Sequence, residues 1–115
     1  MRRTLLIVFL AGAFPLLLLH RAGAQTYPIK PIRLVVPAST GSAVDLPARV
    51  IAHELSAVIG RPIVVDNVPG ASGNIASAQV ARTANDGYTL LMQFSAFIFN
   101  PSLYRDVSYV LIKDF

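Results

Sequence analysis

Three short runs of branched and aromatic apolar residues, separated by stretches of helical spacing, constrain this chain more than any other feature. Ile32-Arg33-Leu34-Val35-Val36 stops at Pro37, Ile63-Val64-Val65-Asp66 follows Pro62, and Tyr88-Thr89-Leu90-Leu91-Met92 follows an Asp86-Gly87 turn. Runs of this length and composition read as strands. A helix is expected from Ala43 or Asp45 to residue 59. Its period puts Leu46, Val50, Ile51, Leu55, Val58 and Ile59 on one face, with Arg49, His53 and Ser56 mainly opposite. Gly60 is placed to cap its end, with Pro62 just beyond. Residues 74–83 predict a second helix of small side chains that can approach a sheet closely. Residues 67–73 and 93–101 are rich in loop formers, and a short turn or helix is expected at residues 102–104.

Strand, helix, strand, helix, strand is an α/β order. Helical crossovers imply a parallel sheet with helices on both faces and right-handed connections. The doubly wound arrangement would set the strands in the spatial order two-one-three. The connections leaving the first and third strands would then go to opposite faces, which makes a switch point where ligands sit. Residues 38–42 and 93–97 would share that rim.

The first 24 residues stand apart. Arg2 and Arg3 precede an almost unbroken apolar run from residue 4 to residue 19, and Ala22-Gly23-Ala24 follows His20 and Arg21. That order of charge, apolar run and small residues is a secretory signal peptide, with cleavage expected after Ala24 and delivery to the periplasm. The run is short for a bilayer span, and Pro15 interrupts it. The chain has 10 Lys+Arg against 6 Asp+Glu. Loss of Arg2, Arg3 and Arg21 leaves a near-neutral remainder with no basic cluster, so nucleic acid is not an expected partner. There is no cysteine, and His53 is the one histidine beyond the leader. No metal site or cofactor is expected.

Enzyme signatures are missing at the motif level. Gly70-Ala71-Ser72-Gly73 has the wrong spacing for a nucleophile elbow, and there is no phosphate-binding glycine loop with its lysine. His53 reads as a solvated helix residue. The loop Ser39-Thr40-Gly41-Ser42 is more informative. It is small and polar and leads into a helix start, where unpaired amides and the helix dipole favour an anion. Ser42-Ala43-Val44-Asp45 reads as a capping box, in which Asp45 turns back to bond the backbone at Ser42 and orders the loop. By pattern alone an ordinary helix start fits these residues equally well. For residues 67–73 a tight turn that lets the next helix pack is preferred over ligand contact. Phe94, Phe97 and Phe99 are open between pocket wall and core.

Together these segments carry a family likeness. Pro28-x-Lys30-Pro31-Ile32-Arg33-Leu34-Val35-Val36-Pro37 resembles the opening of the Bug-type receptors, the substrate-binding proteins of tripartite tricarboxylate transporters. So do Gly41-x-x-x-Asp45-x-x-Ala48-Arg49, Asp66-Asn67-x-Pro69-Gly70-Ala71-x-Gly73-Asn74-Ile75, Asp86-Gly87-Tyr88-Thr89-Leu90-Leu91 and Asn100-Pro101-Ser102-Leu103-Tyr104, in the same order. The resemblance spans residues 27–115. It implies a non-enzymatic Venus-flytrap receptor of the type II periplasmic-binding-protein kind. Such a receptor captures a small carboxylate or amino acid and delivers it to a membrane permease or reports it to a sensor. It also implies that backbone amides hold the ligand carboxylate, here at Ser39, Thr40, Gly41 and Ser42 and at Ser95, Ala96 and Phe97. Residues 25–115 correspond to the N-terminal portion of binding domain 1, with the second domain absent. That makes a truncated receptor without ligand, or a module that only docks on a permease or sensor, the alternative expectation. Two local departures stand out. Ser42 replaces a usual second glycine, and Pro47 sits where a helix former is usual, which can move the helix start to Asp45.

Overall fold

The computed structural model describes residues 27–115, and the expected signal peptide lies outside them. Three parallel strands form one sheet: β1 (Ile32–Val36), β2 (Ile63–Asn67) and β3 (Thr89–Leu91), in the order β2-β1-β3. β1 pairs with β2 from Ile32 opposite Ile63 to Val36 opposite Asn67. On its other side Arg33, Leu34 and Val35 lie opposite Thr89, Leu90 and Leu91. The α/β reading and the two-one-three order therefore hold in three dimensions.

Side chains alternate across a strand, so β1 feeds two layers. Leu34 and Val36 face α1 (Asp45–Ile59), where they form a cluster with Ala48 and Ala52, flanked by Ile63, Val65 and Met92. Val35 faces the other way, against Ala76 and Val80 of α2 (Asn74–Val80). Helices thus cover both faces. A short 3-10 turn (Ala71–Gly73) leads into α2, and α3 (Ala96–Leu103) follows β3. None of the described helices is long and apolar enough to cross a membrane.

Two expectations are corrected. The stretch 93–101 is not a loop throughout, because α3 begins at Ala96 and carries Pro101 inside it. Asn100 is its buried residue, and its side chain holds the turn before α2. The second correction concerns α1. Its sheet-facing residues are Asp45, Ala48 and Ala52, whereas Leu46, Val50, Ile51, Leu55 and Val58 are exposed, Val58 at 82%. The reason is steric. Leu34, Val36, Ile63 and Val65 already fill the sheet's side of this layer, so the helix closes on them through alanine. Apolar residues run nearly all round α1, and periodicity alone could not choose among its faces.

Local chemistry sets the ends of α1. The helix starts at Asp45, which places Pro47 in the first turn, where an amide has no partner inside the helix. Gly60 ends it in the left-handed region at φ 65°, its amide bonding to the Ser56 carbonyl.

The alanine contact gives a test. Ala48→Leu should destabilise the fold by roughly 1–3 kcal/mol, as overpacking does. Val58→Gln should stay within about 0.5 kcal/mol, as exposed substitutions do. Thermal or urea melts of the two variants would measure both, and the reverse ranking would show that α1 packs through its larger residues.

Candidate functional site

The rim at the C-terminal ends of the strands is built by the tail of β2. Asn67 closes that strand, and its amide uses every hydrogen-bonding function it has. Nδ2 donates to the Ala38 carbonyl and to Asp45 Oδ1, both at 2.9 Å. Oδ1 accepts from Thr40 Oγ1 at 3.1 Å and from the Arg49 guanidinium at 3.0 Å. One side chain therefore ties the loop after β1 to the first turns of α1.

Asp45 is the other half of the clamp. It is 1% exposed. Its Oδ2 accepts from the Gly41 amide at 2.7 Å and from Arg49 Nε at 2.8 Å. Asp45 turns back onto Gly41, not onto the Ser42 amide that the capping-box pattern suggested. The Ser42 hydroxyl instead accepts from the Asp45 amide at 3.3 Å, and the Ser42 amide goes to the Ser39 carbonyl at 3.1 Å. Gly41 has φ 80°, a region that favours glycine, and this turns its amide toward the carboxylate. The hydrogen bond from Arg49, then those from the Gly41 amide and Asn67, hold the Asp45 carboxyl down to about 2 from an ordinary 3.8.

The amides of the expected cradle are thus divided. Those of Gly41 and Ser42 serve the loop's own geometry. Those of Ser39 and Thr40 take no part in the clamp, and both residues are exposed. A similar division holds after β3. The Phe97 amide bonds to the Phe94 carbonyl and the Ile98 amide to the Ser95 carbonyl, while Ser95 and Ala96 open α3. The Phe97 ring packs in an aromatic cluster, with its centroid 5.5 Å from Tyr109 and 5.3 Å from Phe115. Phe94 is half-buried and Phe99 exposed.

Gly73 joins the two halves of the rim. A Cβ there would stand 3.1 Å from Gln93 Oε1 and 3.2 Å from Pro37 Cβ, so the loop leaving β2 wedges between the ends of β1 and β3. Gln93 Nε2 bonds Ser77 Oγ at 2.6 Å, and Ser77 Oγ donates to the Gly73 carbonyl at 2.8 Å. Asn100 Nδ2 reaches the Ser72 carbonyl and Asn74 Oδ1, both at 2.9 Å, and the Tyr109 hydroxyl donates to Asn74 Oδ1 at 2.8 Å. Reasoning from the sequence missed Asn67, Arg49, Gln93 and Asn100 as builders of this rim. An asparagine directly after a strand and ahead of a Pro-Gly turn was the available signal for Asn67. Gln93 and Asn100 gave none, because their partners lie far along the chain. Among the described residues, no group of three or more His, Asp or Glu side chains is placed to hold a metal.

Comparison with known proteins bears on the same residues. A family model described as "Tripartite tricarboxylate transporter family receptor" matches residues 47–115. A UPF0065 protein of Bordetella bronchiseptica is 44% identical over 115 residues, covering 97% of this chain and 33% of that protein. Among solved structures, the periplasmic binding protein BugD superposes with a TM-score of 0.71 at 39% identity, over 73% of this chain and 28% of its own. A second, Rpa4515 of R. palustris with adipate, gives 0.67 at 40% identity, with the same two coverages. The chain thus spans a third or less of the length of these relatives.

The Asp45 clamp makes a signed prediction. A carboxyl whose pKa is lowered by folding contributes stability that is present above its unfolded value, near 3.8, and is lost as pH falls through about 2. Asp86 is also lowered, mainly by the Tyr88 amide, and acts in the same direction. Asp45→Asn should therefore remove part of the acid-dependent loss between about pH 4 and pH 2 and lower the melting temperature at pH 7. Melting curves of both proteins across that window decide it; parallel curves would show that the Asp45 carboxylate gains nothing from the clamp.

Proposed function

Because this chain belongs to the tripartite tricarboxylate transporter receptor family, we propose that it captures a small carboxylate at the β1–β3 rim in the periplasm and presents it to a transporter of that type. The family is one of receptors, and the solved relatives include periplasmic binding proteins. One relative was solved with adipate, a dicarboxylate. The observation that carries the reading is the pairing of β1 with β3, because it sets the loops after both strands on one rim. A carboxylate there would accept from the amides of Ser39 and Thr40 on one side and of Ser95 and Ala96 on the other, with Ser and Thr hydroxyls beside them. Gly41, Ser42 and Phe97 shape the cradle through their own internal bonds. Asp45 keeps the loop in register and, as an anion, stays turned away from the ligand.

Amides suit this task because they carry partial positive charge without a counter-ion and do not need to be desolvated as a lysine would. His53, the one histidine beyond the leader, lies on the exposed side of α1 away from the rim, and the Asp45 carboxylate is held fully ionised by its partners.

Adipate tests the reading against 1,6-diaminohexane, which has the same length and the opposite charge. Adipate at about 100 times its Kd should raise stability by roughly 2.7 kcal/mol, and the diamine should leave it unchanged. Ser95→Pro then removes one rim amide at a residue whose φ of −55° already suits proline. That variant should bind adipate about tenfold more weakly, the loss of one charge-assisted hydrogen bond. Equal shifts from acid and amine, or full affinity in the proline variant, would remove the rim from consideration as the carboxylate site.

A further inference from the structure

Away from the rim, one face of the molecule combines an open strand edge with positive charge. In the described sheet β2 pairs on one side alone, with β1. Along a parallel ladder, successive residues direct their amides and carbonyls to alternate sides. The bonds from the Ile32 amide to the Pro62 carbonyl and from the Val68 amide to the Val36 carbonyl set the phase. The backbone groups of Val64 and Asp66 therefore serve β1, and those of Ile63 and Val65 point outward. α1 already supplies a partner to the first of these. Ser56 Oγ accepts the Ile63 N–H at 2.8 Å, which leaves the Ile63 carbonyl and the Val65 amide and carbonyl for a further strand.

Two adjoining hollows of about 320 and 400 Å³ run along the edge between β2 and α1, and both are lined by His53 and Ser56. Arg49 lines the first and Arg61 the second, while Ile63 and Val65 give the first an apolar floor. Among the described residues no acidic side chain lines either hollow. Arg49 answers Asp45, but Arg61 bonds to the carbonyls of Pro28 and Gly60 and makes no ion pair among the described residues. Glu54 follows His53 on α1 and so points about 100° round the helix from it. Lysine and proline are common protections of an exposed edge, and β2 (Ile63–Asn67) contains neither.

We propose that this edge is a docking surface for an extended, acidic segment of a partner protein. The segment lies against β2 as an added strand, with main-chain bonds to the Ile63 carbonyl and to the outward amide and carbonyl of Val65. Its alternate carboxylates, on the α1 side, meet Arg61 beside His53, and the apolar side chains between them point to the other face of the sheet, where Val64 is exposed. Strand addition supplies affinity through the backbone, and Arg61 selects the sign of charge and speeds the encounter. This surface is separate from the carboxylate cradle, and the proposal does not rest on that reading.

The test titrates the isotopically labelled chain with an eight-residue alternating Glu-Val peptide and with its Lys-Val counterpart. The acidic peptide should shift the amide resonances of Val65 and its neighbours in β2, leave Leu90 of β3 unmoved, and bind at least tenfold more tightly than the basic one. The double variant His53→Glu with Arg61→Glu should reverse that preference, and Arg61→Lys should keep it. Unchanged resonances from β1 and β3 in the variants show that the fold is intact. Equal binding of the two peptides, no binding of either, or shifts confined to β3 would overturn the proposal. So would vesicles of phosphatidylglycerol that bind the chain, lose it in the double variant and block the acidic peptide, since the surface would then belong to a membrane.

Discussion

The arrangement depends on a single amide side chain. Asn67 holds the loop after β1, the first turn of α1 and the guanidinium of Arg49 at once. A half-buried asparagine with all four functions matched is firmly placed, because any rotation would strand polar groups that water reaches poorly. The Asp45 carboxylate sits in the same net and takes the Gly41 amide. The loop is therefore shaped from behind, by groups that do not themselves face the rim. Its exposed side, with Ser39 and Thr40, is left as the surface that can meet a ligand.

The core beneath this clamp is thin. β1 is the sheet's middle strand, and Val35 and Val36 are fully buried on its opposite faces. One helix layer closes through Ala48 and Ala52, the other through Ala76 and Val80. Small residues at these contacts bring helix and sheet close, which brings the helix starts level with the strand ends. The same choice turns the large side chains of α1 outward. The packing that positions the rim and the apolar exterior of α1 are two consequences of one geometry.

The polar wedge around Gly73 does for the β3 side what Asn67 does for the β1 side. Gly73 fits where a Cβ would press on Pro37 and Gln93, and Ser77, Gln93, Asn74 and Asn100 lock the neighbouring backbone. Charge is distributed differently. Arg33 pairs with Asp66, Lys30 with Asp86 and Arg49 with Asp45, so the cations nearest the sheet are answered by carboxylates. Arg61 is answered by no carboxylate among the described residues, and it stands with His53 along the β2 edge. The rim and the edge thus differ in kind: the rim is built from small polar loops, whereas the edge sets Arg61 beside the open side of β2.

The amino-acid sequence alone sufficed for the α/β class, the three strands, the end of α1 at Ile59 and the family, because these follow from local signals: branched runs, Gly and Pro punctuation, and motif order. It also marked Ser39, Thr40, Gly41, Ser42, Ser95, Ala96 and Phe97 as the loops to watch. It could not say which face of α1 meets the sheet, since apolar residues surround that helix and the choice depends on the volume of Leu34, Val36, Ile63 and Val65 across the gap. Nor could it divide the rim amides into those already bonded and those left open. The bonds that take them are local, Gly41 to Asp45, Ser42 to Ser39 and Phe97 to Phe94, but the loops themselves are held by Asn67, Gln93 and Asn100, whose partners are distant in the chain. Hydrogen bonds across such separations have no period and no spacing, and only the folded arrangement of β1 between β2 and β3 brings them within reach.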